Sequence, residues 1–241
     1  MMPRFLPPLR PFGRVYLVHN TRERLIELKK EAKRNICSAI CLLAAFGLWT
    51  AAIGKVDVRS IGPLGSSVGF AAVNVFVHRL TGVHMRLYTV TDWMGLVPIA
   101  VALGFAVVGL VQWIVRKRIS RVDHSILILG GFYIVVMAVY VFFEMVAVNY
   151  RPVLINGILE ASYPSTTTIL VMCVMPTAVM QLNARIKNRV LRRGVACIIT
   201  AFVVFMVIGR LISGVHWFTD IVGGTLLSTG LVMLYRAIVG L

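Results

Sequence analysis

Six long apolar stretches constrain the fold of this 241-residue chain more than any other feature. A bilayer core of about 30 Å takes roughly 20 mostly apolar residues to cross as an α-helix. Backbone amides inside lipid have no water to bond, which favours helices over irregular structure. The sequence therefore predicts an all-α polytopic membrane protein, a six-transmembrane-helix bundle. Its spans are predicted at 36–54, 94–115, 125–148, 167–182, 195–212 and 216–239.

Composition excludes the soluble and the disordered classes of protein. Apolar residues make up 59% of the chain and charged residues only 14%, whereas an ordinary soluble domain is about 25% charged. The mean hydropathy is +0.86, yet the formal net charge is +16. A globule in water cannot hide so much apolar surface, so the positive charge needs an explanation that suits a membrane protein.

The positions of the basic residues supply that explanation, because Lys and Arg concentrate on the cytoplasmic side of membranes. The apolar run 68–77 is too short to span, and a seventh span there would put two basic loops outside. We therefore expect six spans, both termini in the cytoplasm and a plasma-membrane location. The positive charge is then explained by topology and by attraction to the anionic headgroups of the lipid bilayer, and no nucleic-acid partner is needed to explain it. Four segments with a net charge of +15 share the cytoplasmic side: 1–35, 116–124, 182–194 and the C-terminus at Arg236.

The chain divides into a basic cytoplasmic N-terminal segment, 1–35, and a membrane domain, 36–241. Glu27 and Glu31 each stand three residues before a basic residue, Lys30 and Arg34, and this pattern predicts an amphipathic helix at 21–34, after an irregular proline-rich lead. Residues 55–93 form an extracytoplasmic segment between the first two spans. We expect this segment to lie in the membrane interface as a lid over the outer face.

Three polar clusters lie at span ends that the six-span topology brings to the same outer face. They are 144–152 (EMVAVNYRP), 163–167 (YPSTT) and 209–220 (GRLISGVHWFTD). Ionisable groups at membrane depth mark functional sites by default. The convergence of the clusters follows from the charge count alone, and it predicts one shared site.

Five side chains in these clusters suit an anion. Arg151 and Arg210 carry planar cationic forks that match phosphate oxygens. Ser165, Thr166 and Thr167 follow a proline at a predicted helix start, where free amides and the helix dipole favour an anion. Simpler roles stay open, since the arginines could snorkel to lipid headgroups and Ser165 could cap the helix.

His216 and Asp220 stand four residues apart, on one face of a helix that starts there. A carboxylate in that position holds a histidine ring in one tautomer and raises its basicity. With the cationic forks, the pair predicts phosphoryl transfer with His216 as nucleophile and a phosphohistidine intermediate. The simpler alternative is an interfacial pair of His216 and Trp217.

These residues resemble the motifs of the type 2 phosphatidic acid phosphatase (PAP2) superfamily, which includes bacterial undecaprenyl-diphosphate phosphatases. The family patterns are Lys-x6-Arg-Pro, Pro-Ser-Gly-His and Ser-Arg-x5-His-x3-Asp. The third pattern is the specific one, and the resemblance spans roughly residues 94–239. This chain has Arg151-Pro152, Pro164-Ser165 and Arg210-x5-His216-x3-Asp220.

The resemblance implies a membrane phosphatase that acts on lipid phosphates without metal or cofactor. In it His216 would attack phosphorus and Asp220 would orient the ring. Arg151 and Arg210 would bind the phosphate, helped by backbone donors at the second motif. The implied partner is a phosphorylated membrane lipid.

Several motif positions depart from the family. Glu144 stands at the lysine position, where it would share a helical face with Arg151 and pair with it. Thr166 and Thr167 replace the glycine and histidine of the second motif, and Gly209 replaces the serine of the third. The family histidine is thought to protonate the leaving group, which a threonine alcohol cannot do efficiently.

These departures predict a preference among substrates. A polyprenyl diphosphate expels a phosphate-type group, whereas phosphatidate must expel an alkoxide, so weak proton donation penalises phosphatidate more. Alternatively, Glu144 or Glu160 supplies the proton. The competing interpretation is a catalytically impaired relative that binds a phosphorylated lipid or a partner protein. A transporter is disfavoured because the spans hold few polar residues near mid-membrane. The sequence does not predict the oligomeric state.

Overall fold

The structure, a computed structural model, describes residues 12–240, and ahead of Ile26 it describes only one side chain, that of Glu23. Within 12–240 the chain is helical, with two short 3-10 turns and only isolated β-bridges. This confirms the predicted all-α fold. The proline-rich lead falls in residues 1–11, outside the described part. The helices are α1 (Phe12–Ile53), α2 (Ala71–Thr81), α3 (Met85–Met94), α4 (Leu96–Arg116), α5 (His124–Met145), α6 (Thr166–Arg185), α7 (Arg189–Ile212) and α8 (Phe218–Val239).

Six segments of the described chain are long and apolar enough to cross a membrane, which confirms the predicted bundle. Helix α2, with 11 residues, is too short to cross. It contains residues 71–77 of the apolar run 68–77 that the charge pattern excluded as a span. The six segments are Ile26–Ile53, Met85–Arg116, His124–Met145, Thr166–Arg185, Arg189–Ile212 and Phe218–Val239.

Two element boundaries differ from the sequence prediction. The amphipathic helix at 21–34 and the first span are one continuous helix of 42 residues, because no Gly or Pro interrupts residues 14–46. The second span begins at Met85 rather than 94, since Gly95 joins α3 to α4 with helical dihedrals, φ −60° and ψ −17°. Residues 85–93, which the sequence assigned to the interfacial segment, are therefore continuous with the second candidate span. The charges of Arg86 and Asp92 hid this start in the hydropathy pattern.

Helices α6 and α8 form the interior of the bundle. Of the residues in their apolar windows 56% are buried, against at most 17% in the other spans. Small residues on α8 permit the close packing. A Cβ added at Gly223 would lie 2.4 Å from the Tyr163 ring, and one at Gly230 would lie 2.9 Å from Leu43. The N-termini of both interior helices lie at the same end of the bundle, which we call the site end. The core side chains are Val136, Phe143, Ile169, Cys173, Leu227 and Leu231.

Candidate active site

The structure brings the three polar clusters together at the site end. The loop after α5 carries Arg151, and its last residues lead into α6 at Thr166. The turn between α7 and α8 carries His216. Hydrogen bonds join the three elements. The Ser165 N–H donates to the Asp220 carbonyl at 3.1 Å, and the Trp217 indole N–H donates to the Tyr150 carbonyl at 2.7 Å.

His216 is buried and held on both ring nitrogens. Its Nδ1 lies 3.2 Å from the Ser162 carbonyl, which only accepts, so Nδ1 carries the proton. Nε2 lies 3.1 Å from Nη2 of Arg210 and keeps its lone pair on that side. Burial, reinforced by the charges of Arg210 and Arg151, lowers the pKa of His216 well below its ordinary value. The ring is therefore neutral at neutral pH, which is the form that a nucleophile needs.

Asp220 contacts the backbone more closely than it contacts the histidine. Its Oδ2 accepts the Trp217 N–H at 2.9 Å, which caps the start of α8. The distance from the same oxygen to His216 Nδ1 is 3.7 Å, beyond hydrogen-bond length. The sequence pattern predicted that Asp220 orients the ring. In the structure the Ser162 carbonyl is the closer partner of Nδ1, and the buried Asp220 carboxylate lies within ion-pair distance of it, so the orienting role of Asp220 stays a prediction.

The two arginines lie on one aromatic side chain. The guanidinium carbons of Arg210 and Arg151 are 5.0 Å and 5.7 Å from the ring centroid of Tyr88, within cation–π range. Nε of Arg210 and Nη1 of Arg151 are buried without a hydrogen-bond partner in the described chain. Buried, unpaired guanidinium donors are costly unless an anion satisfies them. The pair is therefore suited to a phosphate group.

The second motif supplies a helix start. Ser165 is the buried N-cap residue of α6, but its hydroxyl makes no capping bond and accepts from the Thr168 hydroxyl at 3.0 Å. The first-turn amides of α6 have no acceptor in the described part of the chain. Thr166 and Thr167 are partly exposed. A Cβ added at Gly95 would lie 3.6 Å from the Thr167 methyl, so the α3–α4 junction borders this helix start.

The two glutamates differ in their partners. Glu160 Oε2 lies 3.0 Å from Nε of Arg151. Glu144 is exposed in the last turn of α5, and its expected pairing with Arg151 is wrong. The physical reason is that α5 ends at Met145, so Arg151 lies in the following loop and shares no helical face with Glu144.

Sequence reasoning missed three groups that the structure places at the site. Asp92 on α3 lies with Oδ1 3.5 Å from Nη1 of Arg210. Tyr88, one turn earlier, lies against both arginines. The third is the Ser162 carbonyl, which bonds His216. Asp92 had a sequence signal, a carboxylate beside a span. A backbone carbonyl has none.

Residues 54–84 support the turn between α7 and α8 that carries His216. The His84 N–H donates to the Ser213 carbonyl at 2.9 Å, and the His78 ring lies 3.1 Å from the Gly214 carbonyl. Gly214 has φ +69°, and a Cβ there would lie 1.9 Å from the Gly82 carbonyl oxygen, so only glycine fits. These contacts make the segment a wall beside the turn, and its role as a lid stays a prediction.

Asn74 is a fully buried polar residue of this wall. Its amide donates to the Gly69 carbonyl at 2.8 Å and to the Thr219 hydroxyl at 3.0 Å. Its oxygen accepts the Thr219 N–H at 3.2 Å. Asn74→Ala leaves these groups buried and unpaired, and we expect it to lower the free energy of unfolding by about 1–3 kcal/mol. Thermal unfolding in detergent measures this loss.

Thr200→Ala is the control for Asn74→Ala. The Thr200 hydroxyl bonds only the Ala196 carbonyl of its own helix, so its loss removes no contact between elements. Equal melting temperatures for the two variants would contradict the supporting role of Asn74.

The described residues contain no group of three or more His, Cys, Asp or Glu side chains that could hold a metal ion. The site instead combines a neutral histidine, two guanidinium groups and a helix N-terminus. This combination suits the binding and transfer of a phosphoryl group.

Comparison with known proteins identifies the family of the chain. Residues 99–240 match the PAP2 superfamily. The fold is similar to the crystal structure of the first transmembrane PAP2 type phosphatidylglycerolphosphate phosphatase from Bacillus subtilis, with a TM-score of 0.54 and 19% identity over 83% of this chain and 94% of that chain. No curated protein matches the chain. Because the family match covers more than half of the chain and includes all three polar clusters, the protein belongs to the PAP2 superfamily and has the fold of a membrane lipid phosphatase.

Proposed function

We propose that the protein is an active lipid phosphate phosphatase in which His216 forms a phosphohistidine intermediate. The observation that carries the proposal is the pair of contacts on the His216 ring. Nδ1 is fixed by the Ser162 carbonyl, and Nε2 lies 3.1 Å from Arg210. A phosphate held by Arg210 therefore lies next to the nitrogen that keeps a lone pair.

The reaction needs two transfers. In the first, the Nε2 lone pair of His216 forms a bond to phosphorus, and the bond between phosphorus and the leaving oxygen breaks with its electron pair on that oxygen. In the second, a water molecule attacks the phosphohistidine and frees inorganic phosphate. Arg210, Arg151 and the first-turn amides of α6 stabilise the charge on the phosphoryl oxygens in both steps. No step needs a metal ion.

The proposed substrate preference follows from the second motif. Thr167 occupies the position at which the family histidine would protonate the leaving group, and an alcohol is too weak an acid for this. A polyprenyl diphosphate expels a phosphate-type group that needs little protonation. We therefore propose that polyprenyl diphosphates are turned over faster than phosphatidate-type substrates.

Phosphate release from purified protein tests this preference. The protein in detergent, with a chelator present, is offered a polyprenyl diphosphate and phosphatidate at matched surface concentrations. We expect chelator-resistant release with a higher kcat/KM for the diphosphate. Faster release from phosphatidate would contradict the preference, and release abolished by the chelator would contradict the metal-free mechanism.

The side of the membrane on which the active site opens is also part of the proposal. The basic loops 116–124 and 182–194 lie at the opposite end of the bundle from His216, and basic loops face the cytoplasm. The active site is thus proposed to open outside the cytoplasm of a plasma-membrane protein.

A binding protein without turnover is the second candidate, favoured by the ion pair of Glu160 with Arg151, which competes with phosphate. Absence of release from every substrate offered, with phosphate-dependent binding retained, would favour it.

A further inference from the structure

Asp92 lies at the site but belongs to none of the three motifs. It comes from α3, outside the residues that match the family. Its side chain is 57% exposed, whereas that of its partner Arg210 is 2% exposed. The carboxylate therefore lies at the exposed edge of the cationic site.

The guanidinium of Arg210 places Asp92 opposite the nucleophile. Nη2 of Arg210 lies 3.1 Å from His216 Nε2, and Nη1 lies 3.5 Å from Asp92 Oδ1. A phosphoryl group bound to these two terminal nitrogens has His216 beside one of them and Asp92 beside the other. In phosphoryl transfer the attacking and leaving groups are roughly in line, so the side of Asp92 is the side of the leaving oxygen.

The other carboxyl groups near the site are less suited to this position. Glu160 contacts Arg151 at 3.0 Å, and no contact joins it to Arg210 or His216 in the described chain. Glu144 is exposed at the end of α5 and contacts neither arginine there. Asp220 is fully buried and caps α8 behind the histidine. Only Asp92 combines exposure with contact to the guanidinium that holds His216.

We propose that Asp92 is the catalytic acid that protonates the leaving group, the task for which Thr167 is unfitted. This inference rests on the proposed function, because it presumes attack by His216. Because a phosphate-type leaving group needs this acid least, the proposed preference for polyprenyl diphosphates keeps its direction but becomes smaller. A phosphate monoester monoanion carries one proton, and its oxygens take over the contacts of Arg210. Asp92 then receives that proton and passes it to the leaving oxygen as the bond between phosphorus and that oxygen breaks.

The second half of the reaction reverses this transfer. The Asp92 carboxylate takes a proton from the water that attacks the phosphohistidine, the bond between phosphorus and Nε2 breaks, and its electron pair returns to His216. Asp92 then passes the proton to a phosphate oxygen, so that dihydrogen phosphate leaves and the carboxylate is restored. The products are the lipid alcohol and inorganic phosphate, and His216 Nδ1 keeps its proton, hydrogen-bonded to the Ser162 carbonyl, throughout.

Two phosphate monoesters of equal charge and similar chain length test the proposal, one of a long-chain alkyl alcohol and one of a nitrophenol bearing the same chain. An acid catalyst matters for the alkoxide and little for the nitrophenolate, which is a stable anion. We expect Asp92→Asn to lower kcat/KM for the alkyl ester by ~10²- to 10⁴-fold. The loss for the nitrophenyl ester is expected to be much smaller, and Asp92→Glu restores part of the alkyl ester activity.

Three further variants separate the outcomes. An equal loss for both esters in Asp92→Asn would overturn the proposal, because it would indicate only a role in holding Arg210. A leaving-group-dependent loss in Glu144→Gln or Glu160→Gln instead of Asp92→Asn would assign the proton to that glutamate. His216→Ala is expected to lose both esters equally. If it keeps activity, the proposed function fails whatever the Asp92 variants show.

Discussion

His216→Ala is expected to lower kcat/KM by roughly 10⁴-fold or more on every phosphorylated lipid that the protein hydrolyses, because the variant has no nucleophile for the first transfer. The Nε2 lone pair beside Arg210 is fixed by the Ser162 carbonyl on the other ring nitrogen. Phosphate release in detergent measures the loss. Labelled substrate should also leave an acid-labile, alkali-stable phosphate on the wild-type protein and none on the variant.

His124→Ala is the matched control for this change. His124 is an exposed histidine at the start of α5, at the end of the bundle away from the site. Its replacement should leave phosphate release and the labelled intermediate unchanged. Retained release in His216→Ala, with the protein folded as judged by thermal unfolding, would remove the phosphohistidine mechanism.

Arg210→Lys should lower kcat/KM by about 10²- to 10³-fold, the effect of removing one preorganised charge-stabilising group. The lysine keeps the positive charge but loses the planar fork that reaches His216 and Asp92 at once. Arg210→Ala should lose more activity, because it also removes the charge. Steady-state kinetics on the same lipid measures both variants.

Arg79→Lys is the control for the arginine series, since Arg79 is an exposed residue of α2 that lies on the same segment as the supporting Asn74. It should not change phosphate release. Wild-type kinetics in Arg210→Lys would show that any cation suffices at this position. The bidentate contact of the guanidinium would then be unnecessary.

How much of the fold could be predicted depends on whether each structural feature is specified by the residues of a single segment. A membrane span is specified by its own residues, so four of the six spans were located within six residues of their structural bounds, whereas the first two begin about ten residues earlier than predicted. The start of the second span was predicted too late because Arg86 and Asp92 lower the hydropathy of its first ten residues. The continuity of α1 was missed because a change in polarity at residue 35 resembles a boundary, although the backbone has no reason to break there.

The candidate site was predictable where charge and spacing mark it. Arg210, His216 and Asp220 lie within eleven residues, and together with Arg151 and the helix start at Ser165 they predicted a phosphate site. The detailed roles were less predictable. The bond that orients His216 comes from a backbone carbonyl 54 residues away, and the contact of Asp92 with Arg210 joins residues 118 positions apart.

The sequence by itself determined that the chain spans a membrane six times and that three polar clusters share one face, because hydropathy and charge are properties of each segment alone. Only the tertiary structure decided which groups touch within that face. It placed Tyr88 and Asp92 against the arginines and Ser162 against His216, and it separated Glu144 from Arg151. The physical reason is that such contacts depend on where helices end and how they pack, which the residues of one segment do not specify.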